Sequence, residues 1–488
     1  MADEIIEHPT YMEHIRHFFD EIDLDHMNGQ GVDLSTHALL TARANDVYLH
    51  TLQPDGDMPP EADRKWSAQR SASFLNWITD GMPIGTPAPA PVQPNGATRI
   101  RKDAASLTAD EIATLGQAFQ GLYDRDPTDP QSYFGQAAQH WYPPPNECKH
   151  HNDLYLPWHR VLMRHFEDAL RSVPGCADVT MPYWDITADP PDFLFQPPFA
   201  SYTSPLEIFA PEYPAGYTTM RFDAPTIAAQ VSAHGVPPAI ADAMTQFKWK
   251  DHITGIWGAH DGGHPACGTT MAVPDVASFD PLFWFFHANW DRLWWQWQQI
   301  MQATTYWSFR STIFGNPIFL TPLLNALSPF NETANMTIDL TATGVDYAPP
   351  AVPALDQVDV HAAVFGSLVA ARNVRVADTP RVSVMLKGID RLSIPGTFRA
   401  TLKADGKPLG QKFFFQASQP RTCEACSDDP LTDLTFVVDS NRVVGKQLTV
   451  DVEVLDRNDP RKATLVPPRV YGHPTINARL LLEQSDSA

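Results

Sequence analysis

The order of apolar and polar positions divides the chain into stretches of different period. Tyr11 to Phe19, Ser35 to Leu52 and Ser67 to Thr79 carry apolar residues three and four apart, joined by Gly, Pro and Asp, and predict a small helical module over residues 1–82. Residues 83–98, PIGTPAPAPVQPNGAT, continue no period, because each proline fixes φ and removes an amide donor; they predict an extended linker. Past the linker, Thr108 is placed to cap a helix, with Glu111 three residues on as a capping box requires. Helical spacing then recurs, between Pro and Gly loops, to about Trp297. Beyond residue 350 the period falls to two. Arg381 to Ile389, Thr397 to Lys403, Lys412 to Gln416, Leu434 to Val438, Leu448 to Leu455 and Ile476 to Leu482 read as strands between Asp-Gly, Pro-Gly and Asn-Asp turns. The expected architecture is multi-domain: the helical amino-terminal module, the linker, a mainly α-helical bundle over 99–345 and an antiparallel β-sandwich over 346–488.

Charge narrows the function classes. Asp and Glu number 57 against 35 Lys and Arg, and the resulting net charge of -22 repels phosphate backbones and anionic membrane surfaces. Nucleic acid and membrane are therefore not expected partners, whereas self-association into a homo-oligomer is allowed. No run of about 18 apolar residues occurs, and the opening Met-Ala-Asp-Glu-Ile-Ile-Glu lacks the basic and apolar regions of a secretory signal. A soluble, cytoplasmic protein is the expectation. Five cysteines (Cys148, Cys176, Cys267, Cys423 and Cys426) are too few for a disulfide scaffold in 488 residues. The 18 histidines are then the most informative part of the composition.

Two histidine groups lie in the helical region: His140, His150 and His159, then His260, His264 and His287. Three neutral imidazoles form a borderline-soft donor set for one late first-row metal and leave a position open for substrate. Two groups imply two metals. His260 and His264, four apart, share a face if their segment is helical. His287 precedes Ala-Asn-Trp-Asp-Arg-Leu-Trp-Trp, whose spacing suits a buried helix, and His159 heads a similar one on which Arg160 and Glu167 are expected to brace one another or nearby backbone. Any one of these histidines alone is more simply a packed or surface residue; six in this arrangement are not. The segment HDGGH, residues 260–264, is similar to the HExxH of zinc hydrolases with Asp261 in place of Glu. Gly262 and Gly263 weaken a helix there and Pro265 is expected to end or kink it, which argues against that reading.

Longer patterns surround these residues. Tyr155-Leu156-Pro157-Trp158-His159-Arg160 is followed by Met163 and Glu167, and Asp280-Pro281-Leu282-Phe283-Trp284 by His287 and Asp291. On them the chain resembles the type-3 (dinuclear) copper proteins of the tyrosinase and polyphenol oxidase family, strongly over about residues 101–300. The sandwich resembles the shielding domain of longer members. The amino-terminal module, with Asp25-His26-Met27 and Met58-Pro59-Pro60, resembles extensions on bacterial ones.

The resemblance implies one copper on His140, His150 and His159, a second on His260, His264 and His287, and dioxygen as co-substrate. It implies a Cys148–His150 thioether, Phe283 packed on a second-site ligand ring, and Asp261 linked to deprotonating the phenol; bland alternatives are a buried thiol for Cys148 and a loop-fixing role for Asp261. Phe286 departs from the family, which usually has histidine there.

The implied reaction is o-hydroxylation of monophenols and oxidation of o-diphenols to o-quinones. The alternatives are a catechol or o-aminophenol oxidase without hydroxylation, a haemocyanin-like O2 carrier and a copper store. Trp158, Phe283 and Trp284 are expected to form an apolar slot for small phenolic substrates. Cys423-Glu424-Ala425-Cys426 reads as a redox couple, half a zinc site or a Cu(I) landing site, against two unrelated thiols; similar pairs in fungal shielding domains are associated with copper loading. The sandwich is expected to restrain the site until it is removed or acid loosens it.

Overall fold

The computed structural model describes residues 5–11, 14–19, 21–30, 32, 34, 37–52, 56–61, 64–84, 98–141, 148–209, 212–246, 248–305, 309, 312–313, 319, 325–348, 381–422 and 430–481. They fall into two compact units, residues 1–98 with 305–344 and residues 99–304 with 345–488. This division differs from the expected boundaries in two ways. Residues 305–344 group with the amino-terminal module, and the helical bundle and the sandwich form one unit.

The first unit contains α1 (Glu21–Gly29), α2 (His37–Ala42), α3 (Ala44–Thr51) and α4 (Ala68–Thr79). Among the described residues of the run Tyr11 to Phe19, only Ile15–Phe18 is helical, as a 3-10 turn. Ser67 caps α4 by accepting from the Arg70 amide at 3.0 Å. Trp66 meets Phe18, Phe19 and Phe74 edge-on at 5.4, 5.4 and 5.3 Å, and these rings with Tyr11, Ile15 and Trp77 make a core. Most of the expected linker, residues 85–97, lies outside the described residues.

The second unit begins with β1 (Arg99–Arg101), followed by α5 (Ala109–Tyr123), α6 (Tyr133–Trp141), α7 (Tyr155–Arg171), α8 (Ala224–Ala233), α9 (Val236–Met244), α10 (Trp249–Cys267), α11 (Pro274–Ala277) and α12 (Leu282–Ile300). The capping box of α5 is present: Thr108 Oγ1 accepts from the Glu111 amide at 3.3 Å and the Glu111 carboxylate from the Thr108 amide at 2.9 Å. From Leu282 to Trp295 every residue of α12 is buried, so this helix is the centre of the core.

Its polar side chains must therefore be paired. Asp291 accepts from Arg160 on α7, from Arg101 on β1 at 3.0 Å and from the Tyr347 hydroxyl at 2.7 Å. Of the two expected roles, bracing Arg160 or nearby backbone, Glu167 takes the second, accepting from the Met181 amide at 2.9 Å, and it also accepts from Arg101 at 2.8 Å and Arg99 at 3.1 Å. Burial pushes the Glu167 carboxyl up, and the two guanidinium groups more than reverse this and hold it below its ordinary value. Removing one partner from such a buried set costs about 3–5 kcal/mol. β1 pairs in parallel with β2 (Val345–Tyr347), Arg99 opposite Val345 and Arg101 opposite Tyr347, so the network also joins the two ends of the helical core.

The sandwich comprises β3 (Arg381–Asp390), β4 (Phe398–Ala404), β5 (Lys407–Phe414), β6 (Leu431–Asp439), β7 (Leu448–Asp456), β8 (Asp459–Leu465) and β9 (Thr475–Leu481). Its antiparallel sheets have the orders β6-β3-β9 and β5-β4-β7-β8. Alternate residues face inward: Phe398, Ala400 and Leu402 of β4 and Leu434, Phe436 and Val438 of β6 share one core. The edge strand β8 escapes sequence reading because only Pro460 in it is buried, which leaves no alternation to detect. β5 begins and ends earlier than expected, so Phe415 and Gln416 lie beyond it. Thr397, Gln411 and Ser418 tie the sandwich to the helical core, donating to the Ala272 carbonyl at 3.0 Å, the Ala233 carbonyl at 2.7 Å and the Asp275 carboxylate at 2.8 Å. No described helix is long and apolar enough to cross a membrane.

Candidate metal centre

Four elements bring the six histidines together: His140 ends α6, His150 precedes α7, His159 lies on α7, His260 and His264 on α10, and His287 on α12. They form two groups, His140, His150 and His159 with Cys148, and His260, His264 and His287; in each, one ligand atom per residue lies within 4.8 Å of all the others. The groups face each other, with the rings of His159 and His287 stacked at 4.5 Å and 9°.

Hydrogen bonds at Nδ1 aim the opposite nitrogen inward. His159 Nδ1 lies 2.8 Å from the Tyr155 carbonyl, His264 Nδ1 2.8 Å from the Met271 carbonyl and His260 Nδ1 3.0 Å from Asp261 Oδ1. His260 Nε2 and His264 Nε2 converge to 2.9 Å. Burial pushes the imidazoles of His159 and His264 down to about 3, against their backbone bonds, which leaves both rings neutral and able to bind a metal near neutral pH. Both ring nitrogens of His287 are buried without a hydrogen-bond partner among the described residues. That arrangement is costly for a structural histidine and natural for a ligand. The donors thus fit a pair of late first-row ions such as copper.

The helix at HDGGH is not interrupted: α10 runs through Gly262, Gly263 and Pro265 to Cys267. Packing overrides the local propensity. A Cβ on Gly263 would stand 2.9 Å from the Phe286 ring and 3.0 Å from Ile186, so the glycine admits Phe286. The Phe286 ring in turn meets His264 at 4.6 Å, where it supplies apolar packing and no hydrogen bond. Phe283 packs on His287 at 4.1 Å, as expected, and also on His140 of the other group at 4.7 Å.

Cys148 Sγ lies 3.5 and 3.8 Å from Nδ1 and Nε2 of His150 and 3.7 Å from His159 Nε2. Burial pushes its thiol up. The Asp261 carboxylate is engaged on both oxygens, Oδ1 with His260 and Oδ2 with His151 Nε2 at 2.7 Å and the Phe415 amide at 3.1 Å. His151 adopts a left-handed φ of 55° and stacks on Phe414 at 4.0 Å.

The three consecutive phenylalanines beside it have three destinations. Phe413 packs on His234 at 4.2 Å, Phe414 on His151, and Phe415 lies flat on the ligand His264 at 3.9 Å and 12°. Trp158 and Trp284 do not line a slot; they are buried behind the ligands, Trp284 stacked on Phe166 at 3.6 Å. A cavity of about 760 Å³ instead opens outside Phe415, reaching Cys148, His150, Asp261 and Trp257. Sequence reasoning missed Phe415, His151 and this cavity. Cys423 and Cys426 lie outside the described residues.

The model for the common central domain of tyrosinase matches residues 130–221 and 219–300. A tyrosinase from Hahella is 27% identical over 247 residues, covering 41% of this chain and 53% of that protein, so the chain spans about half the length of that relative. Among solved structures, a tyrosinase from Burkholderia thailandensis has a TM-score of 0.57 at 19% identity, covering 78% of this chain and all of that one (100%). A functional unit of Octopus hemocyanin has a TM-score of 0.56 at 18% identity, covering 78% and 99%.

Proposed function

The chain belongs to the tyrosinase family of type-3 copper proteins, and from that premise we propose that it oxidises small phenols with O2, hydroxylating monophenols ortho to their hydroxyl and converting o-diphenols to o-quinones. One observation carries the reading: two groups of inward-aimed imidazoles face each other beneath an aromatic ring stacked on a ligand. Bound copper would supply O2 binding and the two-electron redox change. In balance, a monophenol and O2 give an o-quinone and water, and two catechols with O2 give two quinones and two waters.

The chain's own residues hold the frame. Backbone carbonyls fix His159 and His264, Asp261 fixes His260, and Phe283 wedges between His140 and His287. The Phe415 ring shows the shape of guest the site takes, a planar six-membered ring parallel to His264, which a substrate would replace. We include the Cys148–His150 thioether in the proposal, as a restraint on the most loop-bound ligand: Sγ would join a ring carbon with loss of the S–H and C–H hydrogens, a two-electron oxidation for which O2 would be the acceptor.

Because Phe415 covers the ligands, a haemocyanin-like carrier is the second reading. The deciding experiment loads the protein with copper and follows O2 uptake with a monophenol and a diphenol supplied separately. A carrier takes up O2 reversibly without turnover, a catechol or o-aminophenol oxidase ignores the monophenol, and a tyrosinase consumes both.

Two predictions follow from single residues. Asp261→Leu is expected to lower hydroxylation more than catechol oxidation, because hydroxylation also needs a proton acceptor beside the second metal. Equal loss on both substrates, with loss of copper, would reduce Asp261 to the support of His260. Cys423→Ser with Cys426→Ser is expected to slow copper incorporation into metal-free protein while turnover after full loading stays the same. Unchanged uptake from a Cu(I) donor would leave the pair without that role.

A further inference from the structure

The cavity outside Phe415 carries a charge opposite to that of the chain. Overall, acidic residues outnumber basic ones 57 to 35. Yet the cavity is walled by Lys149, Lys250, Lys387, Arg391 and Lys412, against only Asp261 and Asp433 among the described residues. Both carboxylates are already engaged, Asp261 as described and Asp433 with the Gly388 amide at 2.8 Å.

Lys412 is the distinctive cation. Its half-buried side chain crosses α10, where a Cβ on Gly258 would stand 3.5 Å from Nζ. Among the described residues it makes no ion pair, whereas Lys250 is paired with Asp153 at 3.6 Å. Burial pushes the ammonium down, with Asp242 pushing back, so the charged form lacks solvation that an anion would restore. Aromatic walls stand beside it: Lys250 lies over the Trp257 ring at 4.8 Å and Arg391 over Phe414 at 5.4 Å. Gly258 precedes His260 by two residues and His264 by six, about 3 and 9 Å of helical rise.

We propose that this cavity is a carboxylate-binding subsite, anchored by Lys412, that selects phenols carrying an acidic side chain. The inference rests on the phenol-oxidase reading and names its substrate class. One small molecule spans the subsite and the metal centre, its carboxylate at Lys412 and its ring at His264. A short-chain phenolic acid meets both requirements, whereas an ester lacks the charge and a phenolic amine is repelled.

The test uses the full, copper-loaded chain with 3,4-dihydroxyphenylpropionate, its methyl ester and 3,4-dihydroxyphenethylamine. The acid is expected to have a KM about tenfold below that of the ester, a size typical of one charge-assisted hydrogen bond, and the amine a KM above it. The gap should shrink as salt is raised toward 1 M, close in Lys412→Gln and persist in Lys412→Arg. A chain ended after Ala348 lacks Lys387, Arg391 and Lys412 and should not distinguish acid from ester.

Calorimetry with 3-phenylpropionate, which has no phenol to oxidise, reads the subsite without turnover; binding by the parent and loss in Lys412→Gln are expected. If no diphenol is oxidised but 3-phenylpropionate binds through Lys412, the functional reading fails and the subsite stands. Equal KM values for acid and ester, with no binding of 3-phenylpropionate, overturn the subsite while leaving phenol oxidation intact.

Discussion

Replacing His287 by alanine is expected to leave one copper per chain instead of two and to abolish phenol turnover. His287 stands in the wholly buried first part of α12, and neither of its ring nitrogens has a hydrogen-bond partner among the described residues. A bound metal would satisfy one of them. The loss of activity should therefore exceed the roughly 10- to 100-fold typical when a residue merely supporting a ligand is removed. His159→Ala is expected to remove the other copper, since His159 belongs to the opposite group. The measurements are metal content per chain and O2 consumption, with circular dichroism confirming the fold. A full complement of two coppers in either variant would end the assignment.

The second large effect is a gain. Phe415→Ala, or a chain ended after Ala348, is expected to oxidise a small neutral catechol about tenfold or more faster than the full chain at neutral pH. Exposing a buried phenylalanine costs about 1.5–3 kcal/mol, so a closed site opens in a small fraction of molecules, and removing the ring removes that cost. The cut belongs after Ala348, because the Tyr347 hydroxyl bonds Asp291 and β2 ends at Tyr347. A folded, copper-loaded truncation no faster than the parent would make the sandwich an assembly domain.

Acid is not expected to substitute for the cut. Burial pushes the Asp275 carboxyl above its ordinary value, although Ser418 bonds it. A group whose value is higher in the closed form takes up a proton on closing, so lowering the pH through its titration favours closure through this group. The advantage of the opened variants should persist or grow between about pH 7 and pH 5. Through this carboxylate alone the trend runs against the acid opening expected from net charge, burial raising its value and the Ser418 bonds lowering it.

The metal centre was legible in sequence because its ligands are fixed by spacing within helices, as with His260 and His264, and by the extended patterns around His159 and His287. The cover was not. Three consecutive phenylalanines give no sign that each packs on a different histidine, and β5 stops at Phe414 where the next amide bonds Asp261, 154 residues away in sequence. His151 has no part in the sequence reading, and only its backbone conformation and its bond to Asp261 reveal a place in the site. The helix through HDGGH was misjudged for a similar reason, since Gly263 is needed to admit Phe286.

The parallel pairing of β1 with β2 also orders events in time. A chain emerging amino end first holds β1 without its partner strand until Val345 to Tyr347 have been added, and only then can the Tyr347 hydroxyl complete the frame in which Arg101 already meets Asp291. The first strand of the sandwich begins at Arg381 and Phe415 comes later still. Synthesis thus supplies every residue of the helical frame before the ring that covers His264.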